Sequence, residues 1–402
     1  MQTSKLNSYF IESLAPLVFR SGKPFGSVSG IQDVVFPLPS AGAGLIRALA
    51  IGQNKLDFAQ NRVVNEQDGA YQKVLSLRSQ GVFLVRVYDD NTKLPEILVA
   101  KPANAVYIEL DNNTSNGAKI IRLSPKSFEE TCGSDLPEGL LPVQMTEDTR
   151  QKPYKGGANF WTLEHLIRWQ NGETLSFEEV NQAGLKNLPI ELRTHVAIDI
   201  VSQSSAEGKL FQTASFDMSH QKLLGENFGK FNQAWQDFRY GFMVQSEVVL
   251  DKDLATLGGE RRLSHFKPID LSQPIIDRAQ LLDDINKAEG FCLTFITPAI
   301  FEHGYLPKRL LEGNLLDCKL PCQLKAVASD RWLAVSGWDS VLWKPKAMRK
   351  AVNAGSVYWF SLEQPLSEVA LAYLLNNPIS DDIQDCRDGF GLVTVAPWQP
   401  PV

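Results

Sequence analysis

Short runs rich in β-branched and aromatic residues recur along the whole chain, and they constrain its fold more than any other feature. "NSYFIES" (7–13), "GVFLVRVYD" (81–89), "AVYIEL" (105–110), "YGFMVQSEVVL" (240–250), "FCLTFI" (291–296), "WLAVSGW" (332–338), "SVYWF" (356–360) and "FGLVTV" (390–395) read as strands. The helical stretches between them are short and unevenly spaced. "GLIRALAIG" (44–52) follows the turn Pro39-Ser40-Ala41-Gly42, and "TLEHLIRWQNG" (162–172) has Thr162 to cap it and Gly172 to stop it. "SFEEVNQAG" (176–184) carries Ser176 and Glu179 at capping-box spacing, and "SEVALAYLL" (367–375) completes the set. A doubly wound parallel sheet needs a regular strand–helix alternation that this chain lacks, so the expected class is α+β, in two layered units. "RTHVAID" (193–199) and "GKLFQTASF" (208–216) predict a long hairpin whose tip, "IVSQSSAE", is too polar for a core.

At 402 residues the chain exceeds what one hydrophobic core serves, and the character of the sequence shifts after the hairpin. Two domains are expected, 1–235 and 236–402. With a formal net charge of −6, no global field draws the protein to nucleic acid; a polyanion would have to be held by local islands of Lys and Arg. Five scattered cysteines suit a reducing compartment better than a disulfide framework. No apolar run approaches the roughly eighteen residues that cross a bilayer. "MQTSKLNSYF" also lacks a basic segment followed by an apolar one. A cytoplasmic location without membrane contact is therefore expected.

The signatures of common chemistries are missing. Neither GxGxxG nor a Walker pattern is present, and no Ser, His and Asp grouping stands out. "AGAG" (41–44) opens a helix whose N–H groups could take a phosphate, although close helix packing explains such small residues equally well. Cys318 and Cys322, spaced C-x3-C with His303 upstream, lack the second knuckle of a zinc site and read as buried apolar cysteines. No metal or other cofactor is expected. His195, beside Arg193, and His265, after Arg261 and Arg262, could move a 2′-hydroxyl proton in a metal-free ribonuclease. The alternating strand around His195 favours a structural role.

What does stand out is glycine beside cations at strand ends. Arg20 and Lys23 flank Gly22; Gly258 and Gly259 precede Arg261 and Arg262; Arg387 precedes Gly389 and Gly391. Lys344, Lys346, Arg349 and Lys350 precede Gly355-Ser356, at the mouth of the strand "SVYWF". Glycine lets a backbone approach a bulky ligand, cations neutralise phosphates, and Phe25, Trp338, Trp343 and Phe390 could stack on unpaired bases. One such loop is commonly a solvated turn; four in an acidic chain point to single-stranded RNA.

Five islands carry a resemblance to a known family. They are "LAPLVFRSGKPFG" (14–26), "FPLPSAGAGLIRA" (36–48), "RTHVAIDIVSQSSAEGKLFQTASFD" (193–217), "LGGERR" (257–262) and "VSGWDSVLWKPKAMRKAVNAGSVYWF" (335–360), with "GFGLVTV" (389–395) as a final glycine loop. In this order and spacing they resemble the repeat-associated (RAMP) superfamily of CRISPR proteins. More closely, they resemble the foot subunit of the type III-B (Cmr) effector complex. The resemblance implies two ferredoxin-like (RRM-type) domains with glycine-rich loops and a projecting β-hairpin thumb at about 193–217. It implies a non-catalytic subunit that binds the repeat-derived 5′ handle of the crRNA. The protein partners implied are the large polymerase-like CRISPR subunit and the adjacent RAMP backbone subunit, with target RNA met only indirectly.

Carried onto this chain, the expected RNA-binding residues are Arg20, Lys23, Ser40, Arg47, Arg193, His195, Gly258, Gly259, Arg261, Arg262, Lys344, Lys346, Arg349, Lys350, Gly355, Ser356, Gly389 and Gly391. The hairpin tip at 200–207 would wedge between handle and spacer. Segments 111–160 and 300–330 match no family element and read as insertions that could touch partners. The alternatives are a metal-free RAMP endoribonuclease that processes precursor crRNA and a protein-only scaffold subunit.

Overall fold

The structure is a computed structural model, and it describes residues 6–19, 35–58, 67–89, 93–110, 117–128, 133–218, 238–271, 276–313, 320–339 and 342–401. Arg20, Lys23, Cys132, His220 and Cys318 lie outside the described residues. The first strand, β1 (Asn7–Ser13), is followed by α1 (Pro39–Gly52), α2 (Gly69–Ser76) and β2 (Ser79–Tyr88). Next come β3 (Glu96–Ala100), β4 (Ala105–Glu109), β5 (Ala118–Pro125), β6 (Val143–Met145), β7 (Phe160–Thr162), α3 (Leu163–Gln170) and α4 (Phe177–Ala183). The long pair β8 (Ile190–Ile198) and β9 (Ser205–Phe216) precedes β10 (Phe238–Ser246), β11 (Asp253–Thr256) and β12 (Leu263–Pro268). After α5 (Arg278–Ala288) come β13 (Gly290–Phe295), α6 (Lys308–Leu311) and β14 (Cys322–Ala328). Four short strands follow: β15 (Leu333–Val335), β16 (Trp338–Asp339), β17 (Lys344–Pro345) and β18 (Arg349–Ala351). The chain closes with β19 (Val357–Leu362), α7 (Glu368–Asn376), α8 (Ile383–Asp388) and β20 (Val393–Pro397).

The result is a mixed α and β protein with several antiparallel sheets and, among the described residues, eight helices. A seven-stranded sheet runs β11-β12-β1-β10-β2-β3-β7, and a four-stranded sheet runs β14-β19-β13-β20. β4-β5-β6 form a smaller sheet, and β8-β9, β15-β18 and β16-β17 are separate pairs. β10, β11 and β12, which fall after residue 235, hydrogen-bond into the sheet that holds β1 and β2. Sheet membership therefore changes between β12 and β13. Period-2 patterning announces a strand but carries no information about its partner, so the sheet of "YGFMVQSEVVL" was not legible. "WLAVSGW", expected as one strand, is two: β15 pairs with β18 and β16 with β17.

Local chemistry explains the helices that matter for the site. The turn at 39–42 is the first turn of α1 itself, with Pro39 at a position where its missing N–H costs nothing. Gly42 lets α1 approach the sheet: a Cβ there would lie 2.9 Å from Val244 Cγ1 and 3.0 Å from Val82 Cγ2. Leu45, Ile46 and Leu49 enter the core beneath, each contributing roughly 1.5–3 kcal/mol by burial. In the second sheet, Phe291 and Phe360 stack across β13 and β19 at 5.0 Å. α8 packs on α1, α2 and β2 of the first sheet, and the chain leads from it directly into β20 of the second. Its N-cap is Asp382, whose carboxylate accepts the Gln384 N–H at 2.6 Å, and Gly389 ends it at φ +94°.

Candidate nucleic-acid interface

A cleft of 590 Å³ opens where α1, α2 and the turn after α8 meet the short hairpins of 333–351. Ser40 lines it from the first turn of α1, Tyr71 and Leu75 from α2, and Asp388 and Phe390 from the end of α8. Lys344, Lys346 and Arg349 line the opposite wall. Ser40 and the cations of 344–349, some three hundred positions apart in sequence, thus share one surface.

The charges in the cleft are not equivalent. Arg349 grips Asp385 through two hydrogen bonds of 2.6 and 2.7 Å. Asp385 is buried, which pushes its carboxyl above the usual range against the pull of that guanidinium. Arg349 is half-exposed, and its hydrogen bonds to Asp385 outweigh its own desolvation, so it is held more firmly protonated. Arg47 lies deeper: it donates to Asp388 at 2.6 Å and to the Leu75 and Leu77 carbonyls at 3.0 and 3.3 Å. Gln384 donates to the same Asp388 oxygen at 2.9 Å. Both arginines are thereby matched by carboxylates of α8, and Lys344 and Lys346 line the same cleft as exposed residues. Asp339 anchors the β16–β17 hairpin by accepting from Tyr71 Oη at 2.6 Å and from the Leu342 N–H at 2.9 Å. Lys350 sits over the Trp332 ring, 5.2 Å from its centroid.

A second group of the expected residues gathers at the base of β8–β9. Gly259 N–H donates to the Val18 carbonyl at 2.7 Å, and Leu17 and Phe216 exchange backbone hydrogen bonds of 2.8 Å. Arg262 pairs with Glu260 at 2.7 Å, and Arg261 is exposed at φ +51°. Arg193 pairs with Glu191 at 2.9 Å, and Glu191, then Asp217 and Glu260, strengthen its hold on its proton. His195 Nε2 lies 2.8 Å from Thr213 Oγ1 across the exposed hairpin.

Several expected contacts take another role. Gly355, read as letting the backbone pass close to a sugar, is buried at φ +87°, and a Cβ there would meet the Lys101 carbonyl oxygen at 2.5 Å. Ser356 is buried and shares a hydrogen bond of 2.8 Å with Ser329. Gly389 and Gly391 are buried as well: Gly389 packs over Ser79 to Gly81 of β2, and the Gly391 N–H donates to Thr297 Oγ1 at 3.1 Å. In these loops glycine admits another stretch of this protein's own backbone. Sequence reasoning missed Tyr71, Asp339, Asp385 and Asp388, which orient the wall. The i, i+3 carboxylates of "DCRDG" were a readable signal; nothing in "GAYQKVLS" marks Tyr71.

Cys322 is buried in β14, and burial pushes its thiol up to about 12, as it does that of Cys292 in β13. Among the described residues, no three His, Cys, Asp or Glu side chains gather into a metal-binding group, and no helix is long and apolar enough to cross a membrane.

The model of one family, CRISPR-associated protein (Cas_Cmr3), matches residues 9–398. Among curated proteins none matches. Among solved structures, the chain is similar to one in the cryo-EM structure of the type III-B Cmr-beta bound to cognate target RNA. That likeness has 16% identity and a TM-score of 0.44, covering 88% of this chain and 86% of the other. A second similar chain comes from the type III-B Cmr-beta bound to cognate target RNA and AMPPnP, state 1, with 14% identity, a TM-score of 0.41 and the same two coverages. The family match, which spans nearly the whole sequence, carries the assignment: the chain belongs to the Cas_Cmr3 family of CRISPR-associated proteins.

Proposed function

We propose that this protein, as a type III-B CRISPR effector subunit, binds the repeat-derived 5′ handle of the crRNA and docks on the large polymerase-like subunit, without cleaving RNA itself. The observation that carries this reading is the convergence of Ser40 with Lys344, Lys346 and Arg349 on one cleft of 590 Å³. Phosphates would meet Lys344 and Lys346, and Arg349, already oriented by Asp385, would supply a fixed guanidinium edge. The group at Arg193, Arg261 and Arg262 would continue the track along the base of the hairpin, with Arg20 and Lys23 following Phe19 in the chain. An acidic protein with cations gathered in two places avoids indiscriminate RNA binding and still grips one short strand.

Strand order supports a pair of ferredoxin-like units. In order of appearance, β13, β14, β19 and β20 lie 2-3-1-4 across the second sheet, and β1, β2, β10 and β12 lie 4-1-3-2 within the first. These are the same order read from opposite edges. On this reading the first unit runs through β12, and β8–β9 is its projecting thumb. The test is co-expression of the tagged chain with the large subunit and a CRISPR array, followed by sequencing of RNA kept through a high-salt wash. Guides sharing one repeat-derived 5′ end are expected; an intact protein pair carrying only random RNA would overturn the handle reading in favour of a protein scaffold.

A further inference from the structure

We propose that the β16–β17 hairpin is a base-stacking site, on which Trp343 takes one unpaired base of a single-stranded RNA while Lys344 and Lys346 hold the adjoining phosphates. The inference rests on the RNA-binding reading above and adds to it a residue and a contact type.

Trp343 is the more exposed member of a tryptophan pair: it is 76% exposed and Trp338 is 51% exposed. Their rings meet edge to face, with centroids 5.7 Å apart and planes at 87°. A hydrophobic side chain of this size adds little to stability when it is left in water, so core packing does not account for it. Nor does backbone preference, because Trp343 sits at φ +55°, in the left-handed region that bulky residues avoid. Residues held there without glycine gather at ligand-contacting loops, where the surrounding structure enforces them. Here Asp339 does so, clamping the Leu342 N–H on one side and Tyr71 Oη on the other.

The chemistry of the neighbourhood selects the partner. Leu342 and Lys344, on either side of Trp343, both line the cleft, as does Lys346. An exposed tryptophan beside lysines on a short hairpin matches how single-stranded nucleic acid is held, by stacking on the rings and neutralisation of the backbone. The Trp338 ring, perpendicular to that of Trp343, does not stack parallel on it.

The experiment uses the full chain and a fluorescein-labelled RNA copied from the host's own CRISPR repeat, with a scrambled RNA of equal composition as control. Affinity is read by anisotropy over a series of salt concentrations, and stacking by quenching of tryptophan fluorescence. Trp343→Ala should weaken repeat-RNA binding roughly 5- to 150-fold, the effect of losing one stacked base, with the salt slope unchanged. Trp343→Phe should recover most of the affinity, and Lys346→Ala should reduce the slope by about 0.7. Unaltered affinity and quenching in Trp343→Ala, with wild type still preferring the repeat RNA, would overturn the stacking site and leave the handle reading standing. A wild-type chain that does not distinguish repeat from scrambled RNA would overturn both. Loss of the large subunit on co-purification of Trp343→Ala, with RNA affinity unchanged, would make the hairpin a protein contact and also overturn the proposal.

Discussion

The buried pair Arg47–Asp388 is the place to break the molecule. Arg47 stands on α1, against the first sheet, and Asp388 ends α8, from which the chain runs into β20 of the second; their side chains are 9% and 7% exposed. At 2.6 Å and an effective dielectric constant of about 20, the gross attraction is about 6 kcal/mol. Much of that offsets the desolvation of both charges, so the net value of the pair is small, whereas removal of one partner strands the other. Arg47→Met leaves Asp388 with only the Gln384 amide, and Asp388→Ala leaves Arg47 with two carbonyls. Each single change is expected to cost about 3–5 kcal/mol. The double variant Arg47→Met with Asp388→Leu should recover most of the loss, because two apolar side chains replace the pair. Urea unfolding followed by circular dichroism measures all four proteins. If α8 is what couples the two sheets, the single variants should also unfold in two separated steps. Single variants that each lose under about 1 kcal/mol, or a double variant no better than the singles, would refute the view that this ion pair bridges the two sheets.

Gly355→Ala sets a β-carbon against the Lys101 carbonyl oxygen at φ +87° and is expected to lower stability by about 1–3 kcal/mol, read by the same urea titration; a neutral result would mean that the loop yields easily. Asp385 gives a pH signature. Burial raises its carboxyl above the value in the unfolded chain, so the folded state holds the extra proton, and the stability this gives is lost as pH rises from the usual carboxylate range through the raised value. Melting temperatures of wild type and Asp385→Asn, compared over that range, should shift against wild type as pH rises; a constant or opposite difference would contradict the assignment.

Much of the secondary structure was legible because local chemistry settles it. Thr162 and Ser176 do cap α3 and α4, accepting from the backbone N–H groups of His165 and Glu179 at 3.2 and 3.1 Å. β1, β2, β13 and β19 follow from their β-branched and aromatic runs. The cations of the site were legible as well, since Lys and Arg clusters in an acidic chain are a compositional signal. Their availability was not: Arg47 and Lys346 look alike in sequence, yet one is spent on a buried carboxylate and the other faces the cleft.

The sequence by itself determined the element types, the hairpin, and where positive charge and glycine concentrate, because each depends on residues near one another in the chain. Only the tertiary structure decided which strands share a sheet, which glycines accommodate other backbone segments of the protein, and which cations remain open to a ligand. Those outcomes turn on pairings across hundreds of residues. Asp388 reaches back to Arg47, and Asp339 to Tyr71, and no local pattern of side chains encodes such distances.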